Sequence, residues 1–162
     1  MLSAIEEIKQ LREKNAQAEV LRERAEFARC EQELKNAEQS LKDYSEWRVG
    51  EERRKYQSIL GSKVDLKGLE KVKHEIGVLR QKEVTLEDQI NQARKERNRA
   101  ERDLYRAELA LNEARKALEK CHAIATEAAK EHLANVMRKE DNEMEEVSEA
   151  LFMNTQRLAG HA

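Results

Sequence analysis

The 162-residue sequence contains no proline, only five glycines and two cysteines, and 4% of its residues are aromatic. Scarcity of these residues beside abundant Glu, Lys, Arg, Ala and Leu is typical of long helices or a coiled coil. The glycines are scattered, which excludes a nucleotide-binding glycine loop. Cys30 and Cys121 suggest no disulfide framework, and neither has a histidine at metal-ligand spacing.

The sequence also lacks a long apolar run and an excess of charge of one sign. No window approaches the ~20 apolar residues of a membrane span, and residues 1–7 have no basic head or apolar run of a signal peptide. Lys plus Arg number 31 and Asp plus Glu 33, so no strong field directs the chain to nucleic acid or membrane. We expect a cytoplasmic protein.

The sequence does contain one long seam of small and apolar residues at alternating spacings of three and four. This period of 3.5 indicates a helix that supercoils against a partner helix, and it argues against disorder, the competing interpretation of 40% charged residues. The positions, of which all but Glu83 and Arg97 are small or apolar, are Leu69, Val72, Ile76, Leu79, Glu83, Leu86, Ile90, Ala93, Arg97, Ala100, Leu104, Ala107, Leu111, Ala114, Leu118, Cys121, Ala125 and Ala128.

A weaker seam precedes it, so we predict an all-α protein of two long helices, with 1–162 as one coiled-coil domain. Ser3 fits an N-cap with Glu6 three residues later, and Gly61 fits a left-handed residue after a helix end. Helix 1 is expected over about 3–60, the turn over 61–65 and helix 2 over about 66–158. The first seam contains Val20, Phe27, Cys30, Leu34, Ala37, Leu41 and Tyr44.

The short turn predicts that the two helices are antiparallel. If residue 60 lies beside residue 65, helix 1 ends its pairing opposite about His122, close to the end of the second seam. Helix 1 of the same chain is therefore the expected partner, and residues from about 129 form an overhang. The same arithmetic places Glu83 near Lys42 and Cys30 near Lys95.

No residues suggest catalysis, because a pair of helices offers no enclosed pocket. We therefore expect no enzyme, no cofactor and no metal site. Two other interpretations stay open. One is a generic structural or scaffolding coiled coil, such as a parallel dimer. The other, less favoured, is a nucleic-acid-binding hairpin that uses the basic stretch Arg94–Arg106, although acidic residues interrupt that stretch.

Aromatic residues gather near the turn, where Tyr44, Trp47 and Tyr56 fall within a short part of helix 1. Trp and Tyr are favoured at protein interfaces. Trp47 follows the seam residue Tyr44 by three, whereas the seam expects its next member at Arg48. We therefore expect Trp47 beside the seam and partly exposed.

Two segments, Trp47-Arg48-Val49-Gly50-Glu51-Glu52 and Leu79-Arg80-Gln81-Lys82-Glu83-Val84-Thr85-Leu86, resemble the YscO/FliJ family. These are the small central-stalk proteins of bacterial type III secretion and flagellar export. The resemblance implies a cytoplasmic, non-enzymatic stalk that links the hexameric secretion ATPase to the export gate. Secretion chaperones are further possible partners, and no direct membrane insertion is expected.

The resemblance also implies which residues bind partners. At the turn end they are Tyr44, Trp47, Arg48 and Tyr56. At the end that carries both termini they are Ile5, Ile8, Leu133, Met137, Met144, Leu151 and Phe152. The acidic run Glu140–Glu146 departs from the family's pattern.

The pairing within one chain predicts a monomer in solution. Small-angle scattering with absolute mass, at several concentrations, should give about 19 kDa and a rod near ~140 Å long. A concentration-independent dimer much longer than this would contradict the prediction and favour the scaffold interpretation.

Overall fold

The computed structural model describes residues 2–61 and 66–160, which form two helices. α1 spans Leu2–Leu60 (59 residues) and α2 spans Leu66–Gly160 (95 residues). Both predicted helices are confirmed, and α1 continues through Gly50 as expected. Ser62 with Asp65 three residues later, or Asp65 alone, fits the N-cap of helix 2 in the sequence, but both residues lie outside the described ones. The all-α fold of two long antiparallel helices, the second with a C-terminal overhang, is confirmed.

Two details at the ends of α1 were predicted wrongly. The helix begins at Leu2, so Ser3 lies inside its first turn and is not the N-cap; a capping residue must precede the helical backbone. At the other end, no described glycine has a positive φ, so Gly61 is not a left-handed cap. A helix can end without a left-handed glycine, because water or 3₁₀-type hydrogen bonds can also satisfy its last carbonyl groups.

The chain divides into two compact units, which are described separately. The hairpin unit comprises residues 15–111, and the terminal unit comprises residues 1–14 and 112–162. The prediction that 1–162 form a single domain stays a prediction.

In the hairpin unit, α1 and α2 run antiparallel and bury the predicted seams against each other. Arg24 lies beside Glu108, while Lys55 lies beside Glu75, so the chain direction reverses between the two helices. The second seam is buried or half-buried from Val72 onward, and only Leu69 is exposed. The buried members in this unit are Val20, Cys30, Ile76, Ile90, Ala100, Ala107 and Leu111.

The register of this pairing differs from the sequence arithmetic. Glu83 pairs with Arg48 and not with Lys42. The α2 partner of Lys55 is five residues further along than predicted, and that of Arg24 is seven. Cys30 shares a surface depression with Ala100 rather than facing Lys95. Sliding one helix by three or four residues brings the next seam position into place, so the seam pattern by itself does not fix the register.

In the terminal unit, α1 packs a mostly polar stripe onto α2. Glu13 accepts a hydrogen bond from Arg115 at 3.5 Å, and Glu6 lies 3.2 Å from His122. Cys121 of α2 is buried. After Ala134, every residue as far as Gly160 is exposed, so the overhang, residues 129–160, extends as a solvated helix.

Two glycines inside the helices, Gly50 of α1 and Gly77 of α2, lead to a stability prediction. A Cβ atom added at Gly50 or Gly77 would meet no atom within 4 Å. Each change to alanine should therefore raise the free energy of unfolding by about 1 kcal/mol, because glycine loses more backbone entropy in a helix. Urea unfolding followed by circular dichroism measures the difference.

Gly160→Ala is the matched control, because Gly160 is the last residue of α2 and also has open space around it. It should change the unfolding free energy by no more than a few tenths of a kcal/mol, since helix ends fray. A loss of stability in Gly50→Ala or Gly77→Ala would contradict the prediction.

Candidate protein-binding surfaces

Two of the four turn-side candidates, Tyr44 and Arg48, lie in the seam. The Tyr44 hydroxyl donates a hydrogen bond to the carbonyl oxygen of Leu79 at 2.7 Å, and its ring lies under the ammonium group of Lys82 at 5.1 Å. Burial raises the pKa of Tyr44, and the neighbouring carboxylate of Glu83 adds to the effect. Tyr44 therefore aligns the two helices and offers a partner little surface.

Arg48 is the centre of an ion-pair network that crosses the seam. Its side chain is only 17% exposed and donates to Glu83 on α2 and to Glu52 on its own helix, the latter at 2.9 Å. Arg80 of α2 donates to the same Glu52 carboxylate at 3.1 Å. These hydrogen bonds raise the pKa of Arg48. The guanidinium group of Arg48 is therefore paired with carboxylates of the hairpin unit itself.

Another ion pair crosses the seam about two turns beyond Arg48 toward the end of α1, where Lys55 donates to Glu75 at 2.6 Å. The hydrogen bond from Lys55 lowers the pKa of Glu75. Glu52, Lys55 and Glu75 were not predicted from the sequence because they are charged. Continuing the spacing of three and four beyond Tyr44 reaches Arg48 and then Lys55, so the pattern could have indicated Lys55, whereas Glu52 and Glu75 lie outside it.

The other two candidates, Trp47 and Tyr56, are the exposed ones. Each is 48% exposed, which confirms the expectation that Trp47 lies beside the seam. The Trp47 ring rests against Tyr44, with ring centroids 5.7 Å apart. On a helix of 3.6 residues per turn, Trp47 and Tyr56 lie on opposite flanks of the seam residue Arg48. The four candidates therefore do not form one patch.

Near the end of α1, the two flanks of the helix expose different side chains. Val49, Tyr56 and Leu60 share one flank and are all exposed, so they form a second apolar stripe that the sequence analysis did not identify. Trp47 is on the other flank, beside the open space over Gly50. Trp47 is thus a half-exposed aromatic side chain that rests on Tyr44 and lies next to a position without a side chain.

On the terminal unit, the start of α1 presents its apolar residues to solvent. Ile5, Ile8 and Leu11 are 42%, 51% and 58% exposed. The residues facing α2 in the same turns are instead charged and include Glu6 and Glu13. This segment therefore packs its charged side against α2 and exposes its apolar side. The use of Ile5 and Ile8 as a contact surface stays a prediction.

The overhang presents an apolar stripe along one face. All of the candidates predicted there are exposed, by between 57% and 69%. They are Leu133, Met137, Met144, Leu151 and Phe152. Val147, at 59%, belongs to the stripe, whereas Phe152 lies about 100° around the helix from Leu151 and outside it. An exposed apolar stripe of this length is a candidate interaction surface.

The basic stretch Arg94–Arg106 is partly used within the hairpin unit. Arg97 pairs with Glu31 of α1 and Glu101 of α2, and its guanidinium lies 5.3 Å from the centre of the Phe27 ring. A nearby surface depression is lined by acidic as well as basic side chains. This arrangement is that of a salt-bridged helix face, and it lacks the stacked aromatics of a nucleic-acid channel.

The described residues include side chains of the metal-ligand types and the two cysteines. They contain no group of three His, Cys, Asp or Glu side chains placed to hold a metal ion. Cys30 and Cys121 are free and buried, and burial raises the pKa of the Cys30 thiol. Neither described helix contains a stretch that is both long and apolar enough to span a bilayer.

The fold and these surfaces define an antiparallel two-helix coiled-coil protein with exposed apolar contact surfaces. The model of the type III secretion protein YscO family matches residues 2–150, and the chain belongs to this family. A 2.8 Å crystal structure of the type III secretion protein YscO from Vibrio parahaemolyticus is similar, with a TM-score of 0.84 and 29% identity. The similarity covers 90% of this chain and 92% of that one. A comparison with curated protein sequences gives no match.

The ion-pair network predicts a pH-dependent contribution from Glu52. Hydrogen bonds from Arg80 and then Arg48 lower its pKa, although burial opposes them. The stabilisation is therefore complete above pH 4.5, the ordinary value, and is lost as the pH falls below it. Glu52→Gln should reduce the unfolding free energy by about 1 kcal/mol at neutral pH, and by much less at about pH 3.5.

Urea unfolding at the two pH values measures this difference. Glu51→Gln is the matched control, because Glu51 pairs with Arg54 on its own helix and not across the seam. An effect of Glu52→Gln that is independent of pH, or equal to that of the control, would contradict the assigned role of the network.

Proposed function

We propose that this type III secretion protein is a non-enzymatic coupling protein, linking the hexameric secretion ATPase to the export gate on the cytoplasmic side. The observation that carries the proposal is the presence of separate apolar contact surfaces. One lies near the end of α1 in the hairpin unit, on the flank that carries Trp47. The other lies on the terminal unit, at the start of α1 and along the overhang.

The first surface is the proposed contact for the export gate. Trp47 is a large amphipathic side chain with half of its surface exposed, which is the property of interface anchors. Tyr44 and Arg48 support this region from within the seam. A secretion chaperone is a further proposed partner for the stripe that contains Val49 and Tyr56.

The second surface is the proposed contact for the ATPase. Ile5 and Ile8 point away from α2, and the overhang has no cover from Asn135 to Gly160. Two apolar helix segments that face solvent suit insertion into a protein cavity, in which apolar surface is removed from water. A generic scaffold would need no such division of surfaces.

The test is binding of the full chain to two purified proteins of the same bacterium, the secretion ATPase and the cytoplasmic domain of the export gate. Trp47→Ala should weaken binding to the gate domain by about tenfold, as expected for an interface anchor. Binding to the ATPase and helicity by circular dichroism should be unchanged.

Tyr105→Ala is the matched control, since Tyr105 is an aromatic residue of the hairpin unit that is 62% exposed and lies outside the proposed surface. It should leave both affinities within twofold. If the wild-type chain does not bind the ATPase, or does not bind the gate domain, the proposed function is overturned. An equal loss in Trp47→Ala and Tyr105→Ala would overturn the assignment of the gate contact.

A further inference from the structure

The overhang combines its apolar stripe with an unusual arrangement of carboxylates. At 3.6 residues per turn, Leu133, Met137, Met144, Val147 and Leu151 lie within an arc of about 80°. All five are exposed, and no other described part of the terminal unit covers them. The stripe is thus a helix face of the width that a partner groove accepts.

Acidic residues border this stripe on both sides. Asp141 lies about 80° from the centre of the stripe in one direction, and Glu143 lies about 80° from it in the other. Glu140 lies within the stripe, between Met137 and Met144. All three carboxylates are exposed, and among the described residues none forms a salt bridge.

This arrangement distinguishes between possible occupants of the face. If two copies of the chain paired through their overhangs in parallel, the Glu140 side chains would meet at a seam position, and acidic flanks would face acidic flanks. Like charges placed opposite each other oppose association. A partner with basic rims would instead neutralise both flanks and cover the apolar centre.

We propose that the overhang binds a groove with an apolar floor and Lys or Arg side chains on both rims. Met144 and Leu151 lie on the floor, while Asp141 and Glu143 pair with the two rims. This inference rests on the proposed function, which makes the secretion ATPase the protein that carries the groove. The acidic run is then a recognition element of that contact.

The experiment measures binding of the full-length chain to the purified hexameric ATPase at low and high salt. The double variant Asp141→Asn/Glu143→Gln removes the carboxylates that border the stripe. It should weaken binding by about tenfold at low salt and make the affinity less dependent on salt, because rim ion pairs are screened by ions.

Glu146→Gln/Glu149→Gln is the matched control. It removes the same number of charges from the same helix, but both residues lie on the face opposite the stripe. It should change the affinity by less than twofold. Met144→Ser/Leu151→Ser should weaken binding at high salt as well as at low salt, because it removes apolar contact. Circular dichroism on each variant verifies the helix.

Equal effects of the two charge variants would overturn the inference, since net charge and not the bordered stripe would then govern binding. An unchanged affinity in Asp141→Asn/Glu143→Gln would also overturn it while the ATPase contact stands. A self-associating overhang, seen as a dimer that the Met144→Ser/Leu151→Ser variant abolishes, would contradict it too. If the wild-type chain does not bind the ATPase, the proposed function fails together with the inference.

Discussion

The alignment of the two helices depends on the ion pair between Arg48 and Glu83 across the seam. Both residues occupy positions where an apolar side chain would continue the repeat. An apolar seam allows one helix to slide along the other by a few residues with little change in contact. A charged residue at the seam allows only the register that provides its partner, because an unpaired charge in a half-buried site is unfavourable. Glu52 reinforces this choice by accepting from Arg48 and Arg80 together.

The requirement that charged or polar seam residues be paired also explains why Tyr44 and Arg48 contribute to the proposed gate contact only indirectly. The polar groups of Tyr44 and Arg48 bond to α2 across the seam, whereas Trp47 projects into solvent from one flank of α1. A helix surface held in register presents its exposed side chains at constant positions, which lowers the entropy lost when a partner binds. Gly50, beside Trp47, weakens the helix but leaves room for a partner to approach.

In the terminal unit, α1 packs on α2 in a different way. The start of α1 contacts α2 through Glu6 and Glu13, at exposed pairs that contribute little stability, and it places Ile5 and Ile8 outside. Much of its apolar surface is therefore available for a second protein rather than for folding. Exposed apolar helix faces of this kind are a liability in a free protein, and the carboxylates along the overhang keep the face solvated.

The sequence alone determined the two helices, their antiparallel pairing, the seam and the family, because a sustained period of 3.5 permits few other structures and the segments at Trp47 and Leu79 carry the resemblance. It also indicated that Trp47 would be exposed. Tertiary structure decided the register, since the repeat fits several alignments equally well and only the positions of charged partners distinguish them. It also decided the outward direction of Ile5 and Ile8, because before Val20 the pattern is too polar to show which face of α1 meets α2.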